Sequence, residues 1–177
     1  MPSRRRSNLP GDCFVGLRTS SQRQDMINFE LNQSRLKGGQ RVKEADVGRA
    51  LKAVSAALRL RRDTEISIAF VSEREMRALN RQWRGSDKVT DVLSFGRLER
   101  AETGEVLICY EQAARQAKEM KHSARDEVLF LLVHGVLHLF GYDHERPSDA
   151  KKMFPLQARI LTKLGINPRL TPEALSA

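Results

Sequence analysis

The chain has 177 residues, which is enough for one domain with its own hydrophobic core. Its 31 basic and 22 acidic residues give a formal net charge of +9, which favours an anionic partner, nucleic acid ahead of a membrane surface. No run of about 18 uncharged apolar residues occurs, so a transmembrane helix is excluded. The only cysteines are Cys13 and Cys109, which excludes a disulfide scaffold and favours the reducing cytoplasm.

Residues 1–24 form a polar segment rich in arginine and serine, without the apolar core of a signal peptide. We interpret this segment as a disordered basic arm, or as the result of an upstream start site, because Met26 opens the first strand-like run. Phosphate contacts to RNA and a transit peptide are the alternatives. The predicted folded domain covers residues 25–166, and residues 167–177 are predicted to be a loose tail.

The pattern of apolar residues predicts an α+β domain, in which a small mixed sheet of about four strands packs with about five helices. Alternating or continuous apolar runs predict the strands, at 26–32, 65–71, 91–95 and 105–109. Helical spacing and capping residues predict the helices, at 43–61, 73–83, 111–120, from 124 onward and at 147–164. The third and fourth strands are expected to pair, although their connection is too long for a tight hairpin.

The chemistry of the chain is concentrated in the fourth predicted helix and the turn after it. Residues 128–140 are apolar on all sides except for His134 and His138, which are four residues apart and therefore share one helical face. Two buried imidazoles without partners would cost about 1–3 kcal/mol each, and one shared metal ion can satisfy both. Gly141 can end the helix and let His144 join them. Three protein ligands and an open fourth position are typical of a catalytic zinc site.

The three histidines and Gly141 match the metzincin spacing H-E-x-x-H-x-x-G-x-x-H, but Gly135 stands where that pattern has glutamate. A zinc peptidase needs this carboxylate as its general base. The sequence therefore favours zinc-assisted chemistry on another substrate. His122 stands apart in a polar turn and is interpreted as a surface residue.

A basic, hydroxyl-rich segment joins the second predicted helix to the third strand, over residues 80–95. Arg84 could present its guanidinium group to a phosphate, and Arg81 and Lys88 would add to the positive field. Trp83 could stack on a base, but we favour a core position, on the inward stripe of the helix. A solvated basic turn is the alternative for the whole segment.

Residues 134–145 resemble the defining motif of the YbeY family, bacterial zinc-dependent endoribonucleases that act in ribosomal RNA maturation. Residues 79–95 resemble the second motif of that family, and the order of predicted elements agrees from about residue 26 to residue 165. Two positions depart from the family pattern. Gly96 stands where the family usually has proline, and Glu105 stands where it usually has aspartate.

The resemblance implies one zinc ion bound by His134, His138 and His144, and single-stranded RNA as the substrate. It also implies a functional arginine, which falls on Arg84. The family reaction is associated with 3′-end maturation of small-subunit ribosomal RNA and with ribosome quality control. The implied partners are therefore ribosomal RNA, the small ribosomal subunit and assembly factors, with no membrane.

Our hypothesis for the mechanism is that zinc polarises a phosphate oxygen or delivers a bound hydroxide, while Arg84 stabilises the charge that develops on the phosphoryl oxygens. Ser94 and Asp143 are candidates for orienting the metal-binding histidines through contacts on the side away from the metal. For Asp143, a role that only packs the turn is an equal alternative. Imidazole also suits other divalent transition metals, and the nucleophile is either water or the RNA 2′-hydroxyl.

Two functions of other classes remain open. One is a zinc hydrolase that acts on peptides or amides, and the other is a non-catalytic ribosome-assembly factor with a structural metal.

Overall fold

The computed structural model describes residues 27–98 and 103–168. The strands in these ranges are β1 (Ile27–Asn32), β2 (Thr64–Val71), β3 (Val92–Phe95) and β4 (Thr103–Cys109). The α-helices are α1 (Glu44–Leu58), α2 (Glu73–Arg84), α3 (Tyr110–Glu119), α4 (Ala124–Leu139) and α5 (Pro147–Lys163). The predicted α+β class, with four strands and five helices, is confirmed for this part of the chain. The predicted arm at 1–24 and all but the first two residues of the predicted tail lie outside the described residues.

The four strands form one mixed sheet in the order β1-β2-β4-β3. β1 pairs with β2 and β2 with β4 in parallel, whereas β3 pairs with β4 in antiparallel register, with Leu93 opposite Leu107. The predicted pairing of the third and fourth strands is therefore confirmed. Alternation along the strands sends Ile66, Ile68 and Val106 to the face that carries α4, while Leu93 and Leu107 pack with Met76 of α2 on the other face.

Helix α4 lies at the centre of the larger core, where it contacts α1, α3, α5, β3 and β4. Eleven of its sixteen residues are buried, which explains why its sequence is apolar on nearly every side. The helix begins at Ser123, whose hydroxyl accepts a hydrogen bond from the Asp126 backbone N–H at 3.0 Å. Its central position fixes where the two half-buried histidines of its last two turns lie relative to the sheet and the other helices.

Gly135 lets α4 approach the sheet. A Cβ atom at this position would lie 2.8 Å from Ser94 Oγ, 3.0 Å from Val106 Cγ1 and 3.2 Å from Val92 Cγ2. A hydrogen bond joins the helix to the sheet at the same place: the Ser94 hydroxyl donates to the Gly135 carbonyl at 3.0 Å. A glutamate at this position would point into the sheet, so the absence of the metzincin glutamate has a packing reason.

Helix α2 is anchored at both ends. Ser72 and Glu75 form the predicted capping box at its start, and Gly85 ends it with a φ of 67°. After the helix, the Asn80 side-chain amide donates to the Lys88 carbonyl at 2.9 Å. These contacts hold the basic segment between α2 and β3 in one conformation.

The predicted core position of Trp83 is wrong, because its side chain is 62% exposed. Trp83 lies two helical turns after the buried Met76, at the end of α2 where residues 81–85 are all exposed. The indole meets Phe95 there, edge to face, with ring centroids 5.8 Å apart. Its remaining surface is open to solvent.

The loop after β3 departs from the YbeY pattern at Gly96, which has a φ of 100°. A proline fixes φ near about −65°, so it cannot take this conformation. Residues 99–102 of the same loop lie outside the described ranges. In the described ranges, no helix is long and apolar enough to cross a membrane.

Candidate metal centre

The three predicted ligand histidines converge on one point. His134 and His138 bring their Nε2 atoms to 3.1 Å from each other, and the ring of His144 lies 5.0 Å and 5.1 Å from their ring centroids. One ligand nitrogen from each of the three lies within 4.8 Å of those of the others. Two nitrogens bound at about 2.0–2.1 Å to one tetrahedral ion lie about 3.3 Å apart, so the observed 3.1 Å fits joint coordination.

The turn after α4 brings His144 back towards the helix. Gly141 has a φ of 81°, and Tyr142 donates its backbone N–H to the Leu137 carbonyl at 3.1 Å. Asp143 then accepts hydrogen bonds from the backbone N–H groups of His144, at 2.7 Å, and Glu145, at 3.3 Å. These hydrogen bonds fix the turn that carries His144.

The His138 imidazole is held in the neutral form that ligates metals. Burial lowers its pKa to about 4, and the nearby charges of His134 and His144 act in the same direction. A metal ion therefore displaces no proton from this residue at neutral pH.

A buried amide on α5 orients His134. The Nδ1 atom of this histidine lies 2.9 Å from Oε1 of Gln157, which is 3% exposed. Because an amide oxygen only accepts, Nδ1 carries the proton and Nε2 is left to face the site. This residue was not predicted from the sequence. Its signal was a polar side chain in the otherwise apolar stripe of α5, four residues after Met153 and three before Ile160.

Two of the histidines are stacked against aromatic rings. Phe154 of α5 stacks on His144 with a centroid distance of 5.5 Å, and Phe130 stacks on His134 at 6.1 Å. The metal centre therefore depends on α5 as well as on α4.

The two residues predicted to lie behind the ligands make different contacts. Asp143 has Oδ1 at 4.0 Å from Nδ1 of His138, within ion-pair range and beyond a direct hydrogen bond. Burial favours a raised pKa for Asp143, but the two backbone N–H donors outweigh it and lower the pKa. Ser94, in contrast, hydrogen-bonds the backbone of α4 at Gly135. Its contact fixes the helix on the sheet.

The histidines open into a cavity of about 510 Å³. Arg84, at the end of α2, lines this cavity. Ser94 of β3 and Asp143 of the turn after α4 line it as well. Arg81 and Lys88 are exposed on α2 and on the segment that follows it. The structure therefore places Arg84 in the same cavity as the histidines, with the other two basic residues on the surface nearby.

The far end of the cavity is acidic and polar. Asp91 accepts a hydrogen bond from the Gln116 side-chain amide at 2.9 Å, and both residues line the cavity with Glu127. The interpretation of His122 as a surface residue is wrong, since its side chain is 10% exposed and its Nε2 lies 2.6 Å from Glu127 Oε2. Burial raises the pKa of Glu127, and the contact with His122 opposes that rise. The turn at Lys121, with a φ of 58°, folds His122 under helix α4.

Three imidazoles that could hold one metal ion, two on a central helix and one on the turn after it, lie beside a cavity that Arg84 lines, and together they define an α+β protein with a candidate mononuclear metal centre. Comparison with known proteins agrees with this geometry. The family model described as endoribonuclease YbeY matches residues 27–165. The chain belongs to the endoribonuclease YbeY family, as its two motifs predicted.

Individual relatives cover most of the described chain. An endoribonuclease YbeY of an Anaeromyxobacter species is 46% identical over 110 residues, which is 60% of this chain and 57% of that protein. An endoribonuclease YbeY of Limosilactobacillus fermentum is 41% identical over 134 residues, covering 67% and 85% of the two chains. The solution structure of TM1509 from Thermotoga maritima is 28% identical, with a TM-score of 0.51 over 78% of this chain and 91% of that one.

Proposed function

We propose that this protein is a zinc-dependent endoribonuclease that cleaves single-stranded RNA during ribosomal RNA maturation, at the 3′ end of the small-subunit RNA, and in ribosome quality control. The chain is a hydrolytic endoribonuclease by family. The observation that carries the proposal is the convergence of three imidazoles in a cavity that Arg84 also lines. The net charge of +9 supports a polyanionic substrate.

His134, His138 and His144 would hold one zinc ion. A bound divalent ion supplies Lewis-acid chemistry for hydrolysis of a phosphodiester. The protein's contribution is to fix the tautomers of the ligands. Gln157 keeps the proton of His134 on Nδ1, and the nearby Asp143 carboxylate favours the same tautomer in His138. The Nε2 atoms of both histidines are then unprotonated, and each directs its lone pair towards the metal site.

Arg84 would bind and orient the phosphodiester. Its guanidinium group has planar, paired donors that match two phosphoryl oxygens, and in a cavity these donors stabilise the charge that develops during cleavage. Arg81 and Lys88 would attract the neighbouring phosphates of the strand. Loss of Arg84 should therefore slow cleavage more than it weakens binding.

The same proposal assigns the partners and the compartment. Ribosomal RNA would be the substrate, the small ribosomal subunit and its assembly factors would be the partners, and the cytoplasm would be the place of action. No contact described here favours the peptide hydrolase, since Gly135 leaves no room for the carboxylate general base of that class.

The test is cleavage of single-stranded ribosomal RNA fragments by the metal-loaded protein and by three variants. His138→Ala should abolish cleavage, and Arg84→Ala should reduce it by about 100- to 1,000-fold. Arg74→Ala is the matched control, because Arg74 is exposed on the first turn of the same helix, about 15 Å away along its axis. It should cleave like the unchanged protein.

The outcomes separate the functions. Cleavage that survives in His138→Ala would contradict a metal-dependent reaction at this site. RNA binding without any cleavage would favour the assembly factor with a structural metal. Cleavage of peptides in place of RNA would favour the peptide hydrolase.

A further inference from the structure

Trp83 is the one tryptophan of the chain and, within the described ranges, the one large hydrophobic side chain that is strongly exposed. A single exposed apolar residue is common on protein surfaces and needs no function. Trp83 differs from that common case in three respects, namely its contact with Phe95, the basic residues that lie near it in the sequence and its position one residue before Arg84, which lines the cavity of the three histidines.

The indole is fixed on its support. It stands on the last turn of α2 and rests against Phe95 of β3, with an interplanar angle of 66°. The neighbouring residue on that strand, Ser94, is hydrogen-bonded to helix α4. The segment that follows α2 is tied back to the helix by an exposed bidentate pair, in which Arg77 donates to Asp87 at 2.7 and 3.0 Å. The ring is therefore supported on one side by Phe95, and its other surface is open to solvent.

Basic residues lie close to Trp83 along the chain. Arg84, the next residue, lines the cavity of the three histidines, and Arg81 lies three residues before it on the same helix. Lys88 is exposed just after the helix ends. An exposed flat apolar ring on the same helix end as these basic residues suits a ligand that is anionic along its length and carries flat apolar faces at intervals, which describes a single-stranded nucleic acid.

We infer that Trp83 is a stacking platform for one base of single-stranded RNA, next to the phosphate that Arg84 holds. This inference rests on the proposed function and assigns part of its substrate contact. Every base has a π-face, so the platform would bind all four bases and would exclude duplex RNA, whose bases are already stacked on one another. Trp83 would thus contribute to the preference for single strands without reading the sequence.

Because Trp83 is the chain's one tryptophan, its fluorescence reports contact directly. The full-length protein is titrated with a 2′-O-methyl adenosine 10-mer, which has no free 2′-hydroxyl to act as a nucleophile, and with an abasic 10-mer of the same backbone charge, and a gel after each titration checks that both oligomers are intact. The adenosine oligomer should quench the fluorescence and bind about 10- to 100-fold more tightly than the abasic one. Equal affinity and equal quenching by the two oligomers would overturn the inference.

The variants Trp83→Leu and Trp83→Phe test the role of the ring, with affinity measured by anisotropy of a labelled oligomer. Trp83→Leu should lose about 10- to 100-fold in affinity, whereas Trp83→Phe should lose much less. The salt dependence should be unchanged in both, because the counterion term depends on the basic residues. Gln82→Leu is the matched control, since Gln82 is exposed on the adjacent position of the helix. It should bind like the unchanged protein.

Failure of this inference can be told from failure of the proposed function. If Trp83→Leu binds and cleaves RNA normally, the platform is wrong and the nuclease stands. If the unchanged protein neither binds nor cleaves single-stranded RNA, the proposed function itself is wrong. If Trp83→Leu loses binding to anionic lipid vesicles and keeps its binding to RNA, the surface belongs to a membrane and the platform is again wrong.

Discussion

Gly135→Ala should destabilise the protein, although alanine is the better helix former. The added Cβ would lie 2.8 Å from Ser94 Oγ and 3.0 Å from Val106 Cγ1, closer than packed atoms allow. Overpacking of this kind costs about 1–3 kcal/mol. Loss of the Ser94–Gly135 hydrogen bond costs about 1 kcal/mol, and the gain in helix propensity offsets a similar amount. We therefore expect the free energy of unfolding to fall by about 1–3 kcal/mol.

The chain offers a matched control in Gly48, which lies within α1. A Cβ atom there would meet the Phe29 ring at 3.7 Å, an ordinary van der Waals distance. Gly48→Ala should therefore raise the free energy of unfolding by about 0.5–1 kcal/mol, through helix propensity alone. Urea unfolding of both variants, followed by circular dichroism, measures the difference.

Gly135→Ala should also weaken metal binding, because Gly135 lies between His134 and His138 along the helix. A small shift of α4 away from the sheet moves both imidazoles relative to His144, which is held by the turn. In a double-mutant cycle, Ser94→Ala should relieve part of the cost of Gly135→Ala, since it removes the nearest atom. If Gly135→Ala stabilises the protein as much as Gly48→Ala does, the close approach of helix and sheet is wrong.

Two further predictions concern α1 and α5. Arg125 and Arg49 lower the pKa of Asp46 from 3.8 to about 2, chiefly through the hydrogen bond from Arg125, so Asp46→Asn should cost about 2 kcal/mol at pH 7. Because the folded-state pKa is the lower one, this contribution is complete above the unfolded value and is lost as the pH falls from about 4 to about 2. Urea unfolding curves of both proteins at several pH values test it, and a difference that stays constant down to pH 3 would contradict it. Gln157→Met should weaken zinc binding by about 10- to 100-fold, because the imidazole that it orients loses its partner. Competition with a chromophoric chelator measures the affinity, and an unchanged value would contradict the role of Gln157.

Local patterns in the sequence predicted the elements and the ligand set because both depend on short spacings. His134, His138 and His144 fall within eleven residues, and helix geometry and one glycine turn decide whether they meet. Gln157 could not be predicted in the same way. Its contact with His134 depends on how α5 crosses α4, and no local spacing encodes that crossing.

The two wrong predictions have a common physical origin. Periodicity tells which face of a helix Trp83 shares with Met76, but not whether another element covers that face at the last turn, where residues 81–85 are exposed. The polar neighbours of His122 likewise hide a turn that folds its ring under α4, where Glu127 meets it. The exposure of Trp83 and the burial of His122 both depend on where a neighbouring element lies, and the local sequence does not encode that position.

Strand β3 borders the cavity and, in the sheet formed by the described residues, has a neighbour on one side only. A strand with an uncovered side is a template on which a second molecule can add its own strand, and long templates of this kind lead to aggregation. β3 has just four residues, Val92–Phe95, and the glycine that follows it turns the chain away with a positive φ. The short length of β3 thus keeps the cavity accessible and also limits pairing with a second molecule. We expect an engineered extension of β3 to lower the solubility of the protein before it changes the chemistry of the site.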